Sequence, residues 1–176
     1  MGKVKFVLIG DSLVADFDWQ ARMPFFEVLN LGIPGETAQE LLTRLPAIIE
    51  KIDEPRVILI MTGTNNVLRD DYSFVETLNK IVITLSKTCL DTEIIVNSLF
   101  PLSLPSLSDE GLVRINTEME ELTKKTGSCF LNVHDRLASS AADLFLEDGV
   151  HITPHGYELW ARTLMGSLAF LLEDDD

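Results

Sequence analysis

The chain has 176 residues, 46% of them apolar and 24% charged, the make-up of a globular protein long enough to bury one proper core. With 28 acidic against 14 basic side chains the formal net charge is −14, which repels phosphates and argues against nucleic acid or anionic membrane as partners. Two cysteines are too few for a disulfide framework and fit a reducing cytoplasm, and the apolar runs are too short to enter a bilayer; Lys3 and Lys5 precede no leader-like apolar stretch with a cleavage site.

Residues 3–9 are the first expected strand, breaking abruptly into Gly10-Asp11-Ser12. The second strand is expected at 27–31 and runs into Leu31-Gly32-Ile33-Pro34-Gly35. A helix follows in which Ala38, Leu41, Leu42, Leu45, Ile48, Ile49 and Ile52 recur at helical spacing. Thr37 with Glu40 makes a capping box at its start, and Pro46 is expected to kink or split it. The third strand, 56–62, is followed by Gly63-Thr64-Asn65-Asn66. The next helix buries Phe74, Val75, Leu78, Ile81, Val82, Leu85 and Cys89, with Ser73 and Glu76 as a second capping box and Cys89 as a core thiol. A strand at 93–98 leads to a helix carrying Leu112, Ile115, Met119 and Leu122, with Gly127 as its stop. The fifth strand, 129–133, ends in His134-Asp135. A last helix starts from Thr153 and Pro154 and carries Tyr157, Trp160, Leu164 and Leu168. The acidic run at 173–176 reads as a frayed, solvating tail of a single domain spanning 1–176.

The strand candidates are rich in Val, Ile and Leu with little alternation, as when both faces of a parallel sheet are covered. Alternation with helices then predicts an α/β fold: a doubly wound, five-stranded parallel sheet between two helical layers. Ligand sites in such sheets form beyond the carboxyl ends of the strands, where Ser12, Gly32 and Gly63 to Asn66 would all collect.

Ser12 at a strand end can serve as a nucleophile, although Gly-Asp-Ser is also an ordinary turn, and Asp11 reads as a turn carboxylate bonding local backbone donors. Asp148 and His151 are three apart on a loop. That spacing lets the carboxylate meet imidazole Nδ1 and leaves Nε2 for the serine proton. His155 and His134 compete with His151, but both read as mainly structural, with His134 a neighbour of the site. Gly32 would let a backbone N–H approach a ligand, while Gly35 reads as a plain turn. The amide of Asn65 could donate to an oxyanion without titrating, and Asn66 reads as a loop or cap residue. Arg69, Phe100 and the 101–107 loop could wall a pocket or be ordinary loop residues. Three scattered histidines give no metal-site pattern, and no phosphate-binding loop is present, so neither metal nor organic cofactor is expected.

Ser12 in Gly-Asp-Ser, Gly32 in Asn-Leu-Gly-Ile-Pro-Gly, Asn65 in Gly-Thr-Asn-Asn and His151 in Asp-Gly-Val-His occur in this order. The pattern resembles the four blocks of the SGNH hydrolases, also called GDSL esterases/lipases, and it spans nearly the whole chain. The resemblance implies a three-layer α/β/α sandwich with a flavodoxin-like sheet. It further implies Ser12 as nucleophile, His151 as general base oriented by Asp148, and an oxyanion hole made by the Ser12 and Gly32 N–H groups and the Asn65 side chain. Many members carry Asp where this chain has Asn66, which says little about substrate. The implied substrate is a small-molecule ester: a sugar acetate, a (lyso)phospholipid or a thioester. A non-catalytic flavodoxin-like binding module is the alternative of another class, and it leaves Asn65 and the Asp148/His151 pair unexplained.

Overall fold

The computed structural model describes residues 2–173. Its strands are β1 (Val4–Gly10), β2 (Phe26–Gly32), β3 (Val57–Met61), β4 (Glu93–Asn97) and β5 (Cys129–Leu131). They form one all-parallel sheet in the order β2-β1-β3-β4-β5. Every residue of β3 is buried, as are residues 6–9 of β1, so the near-continuous apolar runs mark the middle of a sheet covered on both faces.

The helices are α1 (Ser12–Ala15), α2 (Trp19–Arg22), α3 (Ala38–Lys51), α4 (Thr64–Val67), α5 (Phe74–Thr88), α6 (Asp109–Thr126), α7 (Val133–Ala138) and α8 (Pro154–Glu173). The chain steps from β1 outward to β2 and then back past β1 to β3. Right-handed crossovers therefore put helices on opposite faces, and α3 packs beside α5 and α5 beside α6. On the other face α1, α2 and α8 meet: Tyr157 Oη donates to Leu13 O at 2.9 Å, and Arg22 Nε pairs with Glu158 at 3.0 Å. The buried Trp160 lies edge-on to Trp19 and Phe100, with ring centroids 4.8 and 5.0 Å away.

Three local expectations change. Pro46 does not split α3, which runs unbroken from its Thr37–Glu40 capping box; the proline sits on the exposed face while Leu41, Leu45 and Ile48 anchor the buried one. Ser73 and Glu76 form no capping box, because the Ser73 hydroxyl instead donates to Asp71 Oδ1 at 2.8 Å. β5 stops at Leu131 rather than 133: Asn132 Oδ1 accepts the Asp135 N–H at 3.1 Å and starts α7, placing His134 in a helix. Of the acidic tail, Glu173 ends α8 and 174–176 lie outside the described residues.

Candidate active site

β1 ends in Gly10, whose φ is +155° and whose added Cβ would meet Met61 O of β3 at 2.0 Å, so no larger residue fits that exit. The chain then turns directly into α1. Asp11 caps it, its Oδ1 accepting the Leu13 N–H at 3.0 Å, as expected of a turn carboxylate. Ser12 is therefore the first helical residue, where the helix supplies no carbonyl for its N–H.

Folding brings Ser12 to His151 across 139 positions, with Oγ 3.1 Å from Nε2. The other ring nitrogen, Nδ1, lies 2.6 Å from Asp148 Oδ2. Asp148 is fixed in turn by the Val150 and His151 N–H groups, both 2.9 Å from its Oδ1. The bond from His151, reinforced by those two amides, holds the Asp148 carboxyl down at about 2. It is thus ionised across the neutral range and holds the ring of His151 by its Nδ1 side. Just below the serine, burial pushes the Asp11 carboxyl up to about 7, against the opposing pull of the Leu13 N–H and of His151.

Gly32 packs on this turn. A Cβ there would lie 2.5 Å from Ala15 N, so the glycine is needed for close approach of β2 to α1. Its N–H donates to Asn30 Oδ1 at 3.0 Å, and Asn30 Nδ2 reaches back to Val14 O at 3.0 Å. Asn65, half-buried in α4 at the end of β3, donates one Nδ2 hydrogen to Glu36 O at 3.0 Å. An amide nitrogen carries two hydrogens, which leaves it a second donor.

Asn66 does more than its sequence position suggests. It is buried, and its Oδ1 accepts the Ala38 N–H at 2.9 Å while Nδ2 donates to Gln39 Oε1 and Asp71 Oδ2 at 2.7 and 2.8 Å. It thereby ties the start of α3 to α4. Glu36 and Arg44 also went unmarked in the sequence: Arg44 Nε pairs with Glu36 Oε1 and Nη2 donates to Glu36 Oε2 at 2.9 Å. Nothing in the spacing of these residues signals the pairing, because it depends on how the 33–36 turn folds back on α3.

The competing histidines stand elsewhere. His155 is exposed on α8, and His134 on α7 faces Asp135 at 3.2 Å. Phe100 is no pocket wall: it is fully buried against Trp160. The 101–107 loop does touch the site's loop, since Ser103 N–H donates to Gly149 O at 3.2 Å, and Arg69 Nη2 reaches Gly35 O at 3.4 Å. Beside His151 lies an open cleft of about 320 Å³ lined by Phe17, Leu146, Ile152, Pro154 and Tyr157 with Asp16. Among the described residues no three His, Cys, Asp or Glu side chains cluster as metal ligands, and no helix is long and apolar enough to cross a membrane.

The model of the GDSL-like Lipase/Acylhydrolase family matches residues 8–159. The human platelet-activating factor acetylhydrolase IB subunit alpha2 is 27% identical over 183 residues, which cover 96% of this chain and 77% of that protein. Among solved structures, a Streptococcus pneumonia protein superposes with a TM-score of 0.83 at 23% identity, covering 95% of this chain and 85% of that one. An acetylxylan esterase from Geobacillus stearothermophilus gives 0.74 at 22% identity, with 92% of each chain covered. A GDSL-like lipase from Bacteroides thetaiotaomicron gives 0.77 at 18%, with 95% and 88% covered.

Proposed function

The chain belongs to the GDSL-like lipase/acylhydrolase family, and on that premise we propose that it is a serine esterase with Ser12 as nucleophile, His151 as general base and Asp148 as the carboxylate that orients it. The observation that carries this reading is the unbroken relay from Ser12 Oγ through both nitrogens of His151 to Asp148.

Ser12 Oγ attacks the ester carbonyl carbon as Nε2 takes its proton. The carbonyl π electrons move onto oxygen, and the resulting oxyanion lies against the Ser12 N–H, the Gly32 N–H and the second Asn65 Nδ2 hydrogen. The N–H that Asn30 holds at rest passes to the oxyanion, because an ionised oxygen is a stronger acceptor than an amide carbonyl. Collapse breaks the C–O bond to the alcohol, whose oxygen receives the proton from Nε2. Water, giving a proton to the same nitrogen, then bonds to the acyl carbon; the C–Oγ bond breaks, Nε2 returns the proton to Ser12 Oγ, and the acid is released.

The acyl group we assign is short. Two of the similar proteins, an acetylhydrolase subunit and an acetylxylan esterase, specify acetyl in their names, while the third named one is a GDSL-like lipase. A series of p-nitrophenyl esters from acetate to decanoate should give kcat/KM highest at the short end; a monotonic rise with chain length would overturn this acyl assignment. A fluorophosphonate probe should label wild type at Ser12, and Ser12→Ala should lose several orders of magnitude in turnover. An unlabelled, inactive wild type would instead favour a binding module on the same fold.

A further inference from the structure

Arg44 lies on α3, outside the triad, and is half-buried. Its guanidinium joins two segments. Through Nε and Nη2 it grips the carboxylate of Glu36, a residue whose own backbone carbonyl holds the Asn65 amide at 3.0 Å. Through Nη2 it also donates to Leu31 O at 2.7 Å. That carbonyl belongs to the peptide unit whose other end is the Gly32 N–H. In a planar trans peptide the C=O and N–H point in opposite directions, so fixing the oxygen fixes where the hydrogen is aimed. Both oxyanion donors that the chain supplies besides Ser12 N–H are therefore tied to one side chain.

We propose that Arg44 is a positioning residue for the oxyanion hole, aiming the Gly32 N–H through the Leu31 carbonyl and the Asn65 amide through Glu36. The inference rests on the esterase reading of Ser12, Gly32 and Asn65. Guanidinium suits the task because its planar fork can meet a carboxylate edge-on while a remaining N–H reaches a third acceptor; a lysine ammonium lacks that fixed geometry. A donor aimed askew matters most once charge has developed on the substrate oxygen, so the loss should fall on kcat rather than on KM.

The experiment compares wild type, Arg44→Lys, Arg44→Ala and Ser12→Ala in p-nitrophenyl acetate hydrolysis, well below each variant's melting temperature. Arg44→Lys keeps the positive charge beside Glu36. It should remain folded by circular dichroism yet lose kcat by roughly 10-fold or more, and Arg44→Ala by roughly 10²-fold, with KM within about a factor of two. Arg44 also borders an open cleft of about 330 Å³ with Gly32 and Ile48 on its walls, a route from solvent to its head group. Millimolar guanidinium ion, far below denaturing levels, should therefore restore part of the Arg44→Ala activity and none of the Ser12→Ala activity.

Wild-type kcat in Arg44→Lys, or a loss confined to KM, overturns the proposal while leaving the esterase reading intact, provided Ser12→Ala is dead. Turnover retained in Ser12→Ala sinks the underlying reading instead. If Arg44→Ala fails to fold, Arg44→Lys decides alone.

Discussion

At the scale of single residues, the roles proposed for Asn65 and the histidines separate cleanly by measurement. Asn65→Ala removes one donor to a charge that exists only in the transition state, so kcat should fall by roughly 10²–10³ with KM little changed. A change confined to KM would make Asn65 a substrate-holding residue. His151→Ala should lose nearly as much as Ser12→Ala, and the double variant scarcely more, because residues acting as one unit are not additive. His134→Ala and His155→Ala should keep most of their turnover: the first ring pairs with Asp135 and the second is exposed, and the structure brings neither to the serine. A dead His155→Ala or His134→Ala beside an active His151→Ala would overturn the assignment. The relay was legible in the sequence because each of its residues lies in a compact block at the end of a strand or before a helix. Arg44 was not, because its two acceptors become neighbours only after the turn at 33–36 folds back over α3.

At the scale of elements, the long apolar stripes of α3, α5 and α6 declared themselves, and so did the strands with no polar residue to interrupt them. Two of the misreadings share a cause: a polar side chain had more than one available partner. Asn132 could have continued β5 but caps α7, and Ser73 could have capped α5 but bonds Asp71. Asp11, the cap of α1, carries a prediction of this kind. Burial raises its carboxyl to about 7, above the ordinary carboxylate value of 3.8 that it regains on unfolding. The folded state therefore holds this proton more tightly than the unfolded state does. The group's contribution is fully present below about pH 4, declines as pH climbs towards 7, and is flat above. Asn at this position keeps an oxygen for the Leu13 N–H and cannot ionise. Asp11→Asn should thus match or trail wild type in urea midpoint near pH 4 and gain on it steadily up to pH 7. Parallel stability curves for the two proteins across that range would show that Asp11 does not titrate as its burial requires. Glu36, which Arg44 already pairs, and His151 are the charged groups that act on the Asp11 carboxylate, and a neutral Asn no longer feels either.

At the scale of the whole molecule, the site depends on α8 being seated on the sheet, because the loop bearing Asp148 and His151 enters that helix directly. Two aromatic residues of α8 do the seating. Tyr157 stacks on Phe17 with centroids 4.6 Å apart and donates to Leu13 O, which ties the His151 end of the chain to the serine's own helix. Trp160, one turn on, is fully buried between Trp19 and Phe100, and its Nε1 donates to Asn97 Oδ1 at 2.9 Å. Asn97 ends β4 with no exposure to solvent, and its own amide is used on Ser98 O at 2.8 Å. The pattern of Trp and Tyr on one helix face announced a core contact, but not that a polar partner waits inside the sheet. Trp160→Phe should therefore cost more than lost area: it leaves a void and strands a buried acceptor, together about 2–4 kcal/mol. Urea unfolding followed by circular dichroism should show the midpoint fall with the slope unchanged. Adding Asn97→Leu should recover part of the loss, since the stranded amide oxygen is removed with its partner, and only part because the Ser98 carbonyl then loses the Asn97 amide. If the double variant is instead as unstable as the two single losses added together, the indole–amide bond is not what holds α8 to β4, and packing alone seats the helix that delivers His151.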